Sequence, residues 1–240
     1  MRSLILVTFC SIWLFVFGLE LPSYLRRCSL SDPYLEQCII DNANIAIPRV
    51  VKGEAKYNWP ALSPLLLPEL ELPGPIFNVI LRNVRLEGFE NFKMTYISYS
   101  LDRIPQILTF ATPLFTLTAD YTIQHTGLFS RSILGGGKLR TALEQNVMQY
   151  NWDLTKVEKD GKIYLKYDNG RLSLETGRIR YNFTDLYIPD KRNIEEFIGI
   201  HKEIINYRIR PAVERVTLTY LQSILDNFIA GVPIKDIFDP

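Results

Sequence analysis

The chain has 240 residues, with 27 Lys and Arg against 26 Asp and Glu. That balance excludes a basic nucleic-acid surface, so no nucleic-acid partner is expected. Hydrophobic residues make up 47% of the chain, which excludes a disordered polypeptide and suits a packed core.

Residues 1–18 have the layout of a secretory signal peptide. Arg2 supplies the basic start, Leu4 to Phe17 the apolar run, and Val16-Phe17-Gly18 the cleavage positions. The run is about 14 residues, short of the ~20 that span a bilayer. Cleavage after Gly18 is therefore expected in preference to an anchor, leaving residues 19–240 as one extracellular domain. No further apolar run has spanning length, so no stable membrane insertion is expected.

Cys10 leaves with the signal. Cys28 and Cys38 then form an even pair in an oxidising compartment, most simply one disulfide, with two free thiols as the alternative. Closing a loop of about ten residues stabilises by about 2–3 kcal/mol in the chain-entropy picture. No His stands near either cysteine, so no metal site is expected.

Ser31-Asp32-Pro33 is a helix-start signal. Leu35, Cys38, Ile39, Asn42, Ala43 and Ala46 follow at helical spacing, Pro48 disturbs the pattern and Gly53 ends it. Residues 58–75 hold Pro60, Pro64, Pro68, Pro73 and Pro75 among leucines. That density forbids a helix or a central strand, which predicts an extended, half-buried edge.

From Ile76 to Ile188 the period is two. Phe115, Leu117, Ala119, Tyr121 and Ile123 alternate with polar residues, which predicts a half-buried strand over 115–125. Residues 93–101 and 138–157 are also strand-like, with more mixed faces. Asp160-Gly161 and Asp168-Asn169-Gly170 predict hairpin turns, and short connections between long strands predict an antiparallel meander. From Asn193 onward apolar residues recur at helical spacing, giving one long helix or two, bent at Pro211 and stopped by Gly231 and Pro233. The tail IKDIFDP is expected to pack. A long helix must bury its apolar stripe against the sheet, as an α+β fold with the sheet curved around it or as a flatter sandwich.

Chemistry-bearing groups are sparse. The chain has two histidines, His125 and His201, both expected to be structural. It has no G-x-S-x-G nucleophile turn, and Gly135-Gly136-Gly137-Lys138 lacks the spacing of a phosphate loop. The glycine run is read as a bulge or sharp bend. Neither an enzyme nor a cofactor is expected. Asn182-Phe183-Thr184 is a glycosylation sequon in a chain expected to be secreted.

In order along the chain come LPSYLRRC, LEQCIIDNANIAIP, NVILRNVRLEGF, TPLFTLTADYTIQHTGLF, GGGK, DLYIP and IIN…RIRP…IFD. Together these resemble the insect takeout/juvenile hormone-binding protein family over nearly the whole mature chain. The resemblance implies a strongly curved antiparallel sheet wrapped around a long C-terminal helix, an internal apolar tunnel and a Cys28–Cys38 bridge. It also implies secretion in a chemosensory or circadian setting, and a terpenoid, fatty acid or other lipophilic ligand. Asn206-Tyr207-Arg208 stands where the pattern has Trp close after Asn, and the glycines are contiguous rather than spaced. Both departures argue against naming juvenile hormone itself.

Phe115, Leu117, Tyr121 and Ile123 from the strand, with Ile205, Tyr220 and Ile224 from the helix, are the candidate ligand-binding residues. Tyr121 and Tyr220 are the candidate hydroxyl donors. A chain-like ligand burying about 400 Å² gains on the order of 10 kcal/mol gross, from which association removes roughly 4 kcal/mol or more. The rival expectation is an extracellular interaction protein that keeps the fold but fills its interior with side chains. A continuous void of at least ~300 Å³ favours the carrier.

Overall fold

The computed structural model describes residues 19–73, 77–99, 105–125, 134–187 and 194–240. The expected signal peptide and its cleavage position lie outside them. The elements in chain order are β1 (Cys28–Ser29), α1 (Leu35–Val50), β2 (Leu65–Leu72), β3 (Phe77–Glu87), β4 (Lys93–Ser98), β5 (Gln106–His125), β6 (Leu134–Lys159), β7 (Lys162–Phe183), β8 (Leu186–Tyr187), α2 (Ile194–Ile229), α3 (Ile234–Ile237) and β9 (Phe238–Asp239).

Helix α1 starts beyond Pro33, and Asp32 Oδ1 accepts the Tyr34 N–H at 2.8 Å at its entrance. It continues past Pro48 to Val50. The chain then turns at Gly53, whose φ of +81° and close approach to Ala61 N leave no room for a side chain. The proline-rich stretch becomes β2, paired among the described strands with β3 alone, and Pro68 drops out of a ladder that joins Leu67 to Val84 and Glu69 to Arg82. An edge is where a residue without an N–H costs least.

The principal sheet is antiparallel in the order β2-β3-β5-β6-β7, with β4 on β5 and β8 on β6. Its curl follows from its contacts. Helix α2 packs on both β7 and β2, the opposite edges of that order, and a sheet touches one helix with both edges only by rolling around it. The expected α+β architecture, a strongly curved antiparallel sheet around a long C-terminal helix, is the one observed. Within α2, Pro211 leaves the Tyr207 carbonyl without its helical partner, but both residues lie on the exposed face.

Two sequence features take a different form from that expected, and a third takes the expected one. Residues 157–176 contain one hairpin turn, Asp160-Gly161, with φ of +51° and +70° as a mirror-image turn requires. Asp168-Asn169-Gly170 is no turn. Strand β7 runs through it, and Asn169 and Gly170 together face Trp152 as a bulge. Asn169 takes φ +54° and donates from Nδ2 to Asp153 Oδ2 at 2.7 Å, so its own side chain ties the bulge to the neighbouring strand. Gly136 and Gly137 pair regularly with Thr122 and Tyr121, so the glycine run is neither bulge nor bend. A side chain at Gly137 would meet the Thr184 carbonyl at 2.5 Å, and that close approach accounts for the glycine.

A fold line crosses the three longest strands. On β5 the inward residues are Gln106, Leu108 and Thr112 before Pro113, but Phe115, Leu117, Ala119 and Tyr121 after it. On β6 the inward face passes from Leu139, Thr141 and Leu143 to Asn146, Met148, Tyr150 and Trp152, with Gln145 at φ +56° between them. Pro113 stands where β5 exchanges its partner β4 for β3, between one ladder and the next. Buried Asn146 stitches the line: it donates from Nδ2 to the Leu143 carbonyl at 2.8 Å and accepts from the Thr176 hydroxyl at 3.0 Å. The core accordingly falls into two clusters, one around Phe89, Phe115, Leu117, Tyr121 and Val213, the other around Met94, Leu108, Trp152, Leu165 and Phe238.

Candidate ligand-binding site

The C-terminal tail closes one end of the molecule. Strand β9 pairs in parallel with β1, Arg27 bridges Asp239 at 3.3 Å, and the Ser29 hydroxyl donates to the Pro240 carbonyl at 2.8 Å. The Cys28–Cys38 disulfide ties β1 to α1, so arm, helix and tail form one wall. Asn42 completes it by accepting the Arg26 N–H and donating to the Arg26 carbonyl.

Behind that wall lies a cavity of about 320 Å³. Helix α1 contributes Ile39, Ala43, Ala46 and Ile47; α2 contributes Thr217, Leu221, Ile224 and Phe228; the sheet contributes Met94, Leu108, Met148, Trp152, Leu165 and Tyr167. Phe89, Phe92, Trp59, Tyr99 and Phe238 close the remaining sides, so both core clusters border it. Helix α1 has no fully buried residue even though its apolar face points inward. A helix packed on a solid core buries its stripe; this one covers a space.

The lining is almost uncharged. Among the described lining residues Arg26 alone carries a charge, and it is exposed and bonded to Asp41 at 3.1 Å. Burial pushes the Tyr99 and Tyr167 hydroxyls above the ordinary tyrosine range, so both keep their protons. Tyr150, stacked on Trp152, is likewise pushed up to about 12, mainly by burial. Among the described residues no cluster of His, Cys, Asp or Glu could hold a metal ion, and no helix is long and apolar enough to cross a membrane. A wall of this kind takes up apolar surface.

Of the candidate residues, Ile224 lines this cavity. Phe115, Leu117 and Tyr121 are buried in the core cluster beyond the fold line, with Ile123 and Tyr220 packed against them. The Tyr121 hydroxyl donates to the Thr184 carbonyl at 2.6 Å, a bond within the protein. The side chains of Ile205, His125 and His201 lie outside the described residues. Sequon residue Asn182 is exposed on β7, opposite Arg140. Sequence reasoning missed Trp152, Tyr167, Phe92 and the α1 face. The available signal was the pair of small residues Ala43 and Ala46 on a helical face that also carries the larger Ile39, Ile47 and Val50.

The family model described as "Haemolymph juvenile hormone binding protein (JHBP)" matches residues 4–239. No curated protein matches the chain. Among solved structures, Takeout 1 of Epiphyas postvittana superposes with a TM-score of 0.75 at 15% identity, over 89% of this chain and 99% of that one. At that identity the likeness speaks for the fold. A lipopolysaccharide binding protein superposes with a TM-score of 0.45 at 8% identity, over 78% of this chain and 37% of that one.

Proposed function

Because this chain belongs to the haemolymph juvenile hormone binding protein family, we propose that it is a secreted, non-enzymatic carrier holding a small hydrophobic ligand in the cavity behind α1. The observation that carries the reading is the continuous apolar space of about 320 Å³, which exceeds the ~300 Å³ at which small-molecule sites begin. The rival reading, an interaction protein with a filled interior, matches only the region beyond the fold line, where Phe115, Leu117 and Tyr121 are packed solid.

Burial of about 400 Å² of ligand at ~25 cal/mol/Å², less roughly 4 kcal/mol for association, leaves about 6 kcal/mol. That corresponds to a Kd in the tens of micromolar. Tighter binding therefore draws on polar contacts as well as on area. Secretion is supported by the signal-like start and by the Cys28–Cys38 disulfide. Exposed Asn182 is the glycan acceptor in this reading, which a mass shift on enzymatic deglycosylation of the secreted protein checks. The carrier itself is tested by titrating N-phenyl-1-naphthylamine and displacing it with terpenoid esters or fatty acids. Saturable fluorescence that such competitors reverse is expected; no saturable binding at micromolar concentrations contradicts the reading.

A further inference from the structure

Resting on that carrier reading, we infer that the Tyr99 hydroxyl, the Trp152 indole N–H and the Thr217 hydroxyl select a neutral lipophile with an accepting oxygen, such as an ester, ketone or ether. A free carboxylate or a plain hydrocarbon is disfavoured. All three groups belong to the cavity lining, and the polar atom of each is buried without a partner in the protein. Trp152 is 3% exposed and Thr217 is 7% exposed.

Their placement follows from the sheet register. The β4–β5 ladder ends where Ser98 pairs with Ile107, just before Tyr99, and the next residue of β5 beyond that pair, Gln106, pairs with Trp152. Tyr99 at the end of β4 and Trp152 on β6 thus stand at the same end of the sheet, on either side of β5. The Asn169-Gly170 bulge faces that same Trp152 from β7. Thr217 adds a hydroxyl from the α2 wall.

The Tyr24, Thr141 and Tyr150 hydroxyls are also buried without a partner, but none of the three belongs to the cavity lining, and two of the lining donors differ from close equivalents in the molecule. The other tryptophan of the cavity, Trp59, donates its Nε1–H to the Ile224 carbonyl at 3.2 Å. Thr219, two residues beyond Thr217, donates to the Arg215 carbonyl at 2.9 Å, the ordinary bond of a helical threonine. Trp152 and Thr217 make neither kind of bond.

An indole N–H only donates, and Tyr99 keeps its proton, so the complement both seek is an acceptor. A hydrocarbon leaves these donors unpaired. A carboxylate enters without a countercharge, because Arg26 is committed to Asp41 near the surface. A neutral oxygen avoids both penalties.

The test measures displacement of N-phenyl-1-naphthylamine by methyl dodecanoate, dodecanoate and dodecane from the wild-type protein and from Tyr99→Phe and Thr217→Val. The ester is expected to compete at least about tenfold better than either analogue near pH 7.5. Each substitution is expected to weaken the ester by about fivefold without weakening dodecane, which gains where a donor it would leave unpaired is removed. Tyr99→Phe and Thr217→Val change shape little, and retained probe binding in either shows that it is folded. Ester affinity unchanged in a probe-binding variant of each kind overturns this inference alone, as does dodecanoate competing as well as the ester. A wild-type protein that binds no probe overturns the carrier reading and this inference with it.

Discussion

Asn146 shows how one buried polar side chain shapes the interior. It is 1% exposed, and its amide serves the Leu143 carbonyl and the Thr176 hydroxyl where three strands exchange their inward faces. Asn146→Ala removes both bonds and is expected to destabilise the fold by about 1–3 kcal/mol, measured by urea unfolding. A loss below about 0.5 kcal/mol would contradict that role. The same fold line explains what sequence reading could and could not reach. The clean alternation of residues 115–125 reports an inward face correctly, since Phe115, Leu117, Ala119 and Tyr121 are all buried. The face swap at Pro113 and Gln145 makes the remainder look mixed and hides Leu108, Tyr150 and Trp152 as a second inward set. Phe115, Leu117 and Tyr121 from the clean stretch therefore lie in the core cluster beyond the fold line, while Trp152 and Tyr167 line the cavity.

At the scale of elements, helices and edges were legible because their causes are local. Prolines confine β2 to the margin, Gly53 stops the turn after α1, and apolar residues at helical spacing yield α2 as one element of 36 residues. The clasp was not legible beyond the expectation that the tail packs. Pairing of β1 with β9 joins residues about two hundred positions apart, and no local pattern specifies such a partner. The disulfide couples that clasp to α1 and so to the cavity wall. Replacing both Cys28 and Cys38 by Ser is expected to lower Tm by about 5–10 °C, from roughly 2–3 kcal/mol of loop-closure entropy. Thermal unfolding monitored by circular dichroism checks this. An unchanged Tm would mean that the β1–β9 pairing and the Asn42 bonds hold the wall without the bridge.

At the scale of the molecule, a sheet curled around α2 encloses more interior than its side chains fill. Curvature was expected because a long apolar helix needs a partner; hollowness depends on side-chain volumes summed over several walls, and periodicity carries no information on that sum. The void lies where α1 sets Ala43 and Ala46 against Leu221, Phe228 and the aromatic residues of the sheet. Takeout 1 of Epiphyas postvittana shares this architecture over nearly its whole length. The most direct test of the carrier reading fills the void from α1 with the double substitution Ala43→Phe, Ala46→Phe and measures N-phenyl-1-naphthylamine binding beside Tm. The account predicts saturable binding by the wild-type protein, at least about a tenfold loss in the filled variant, and a Tm that holds or rises as apolar rings occupy apolar space. Equal binding by both proteins, or none by the wild type, would contradict it.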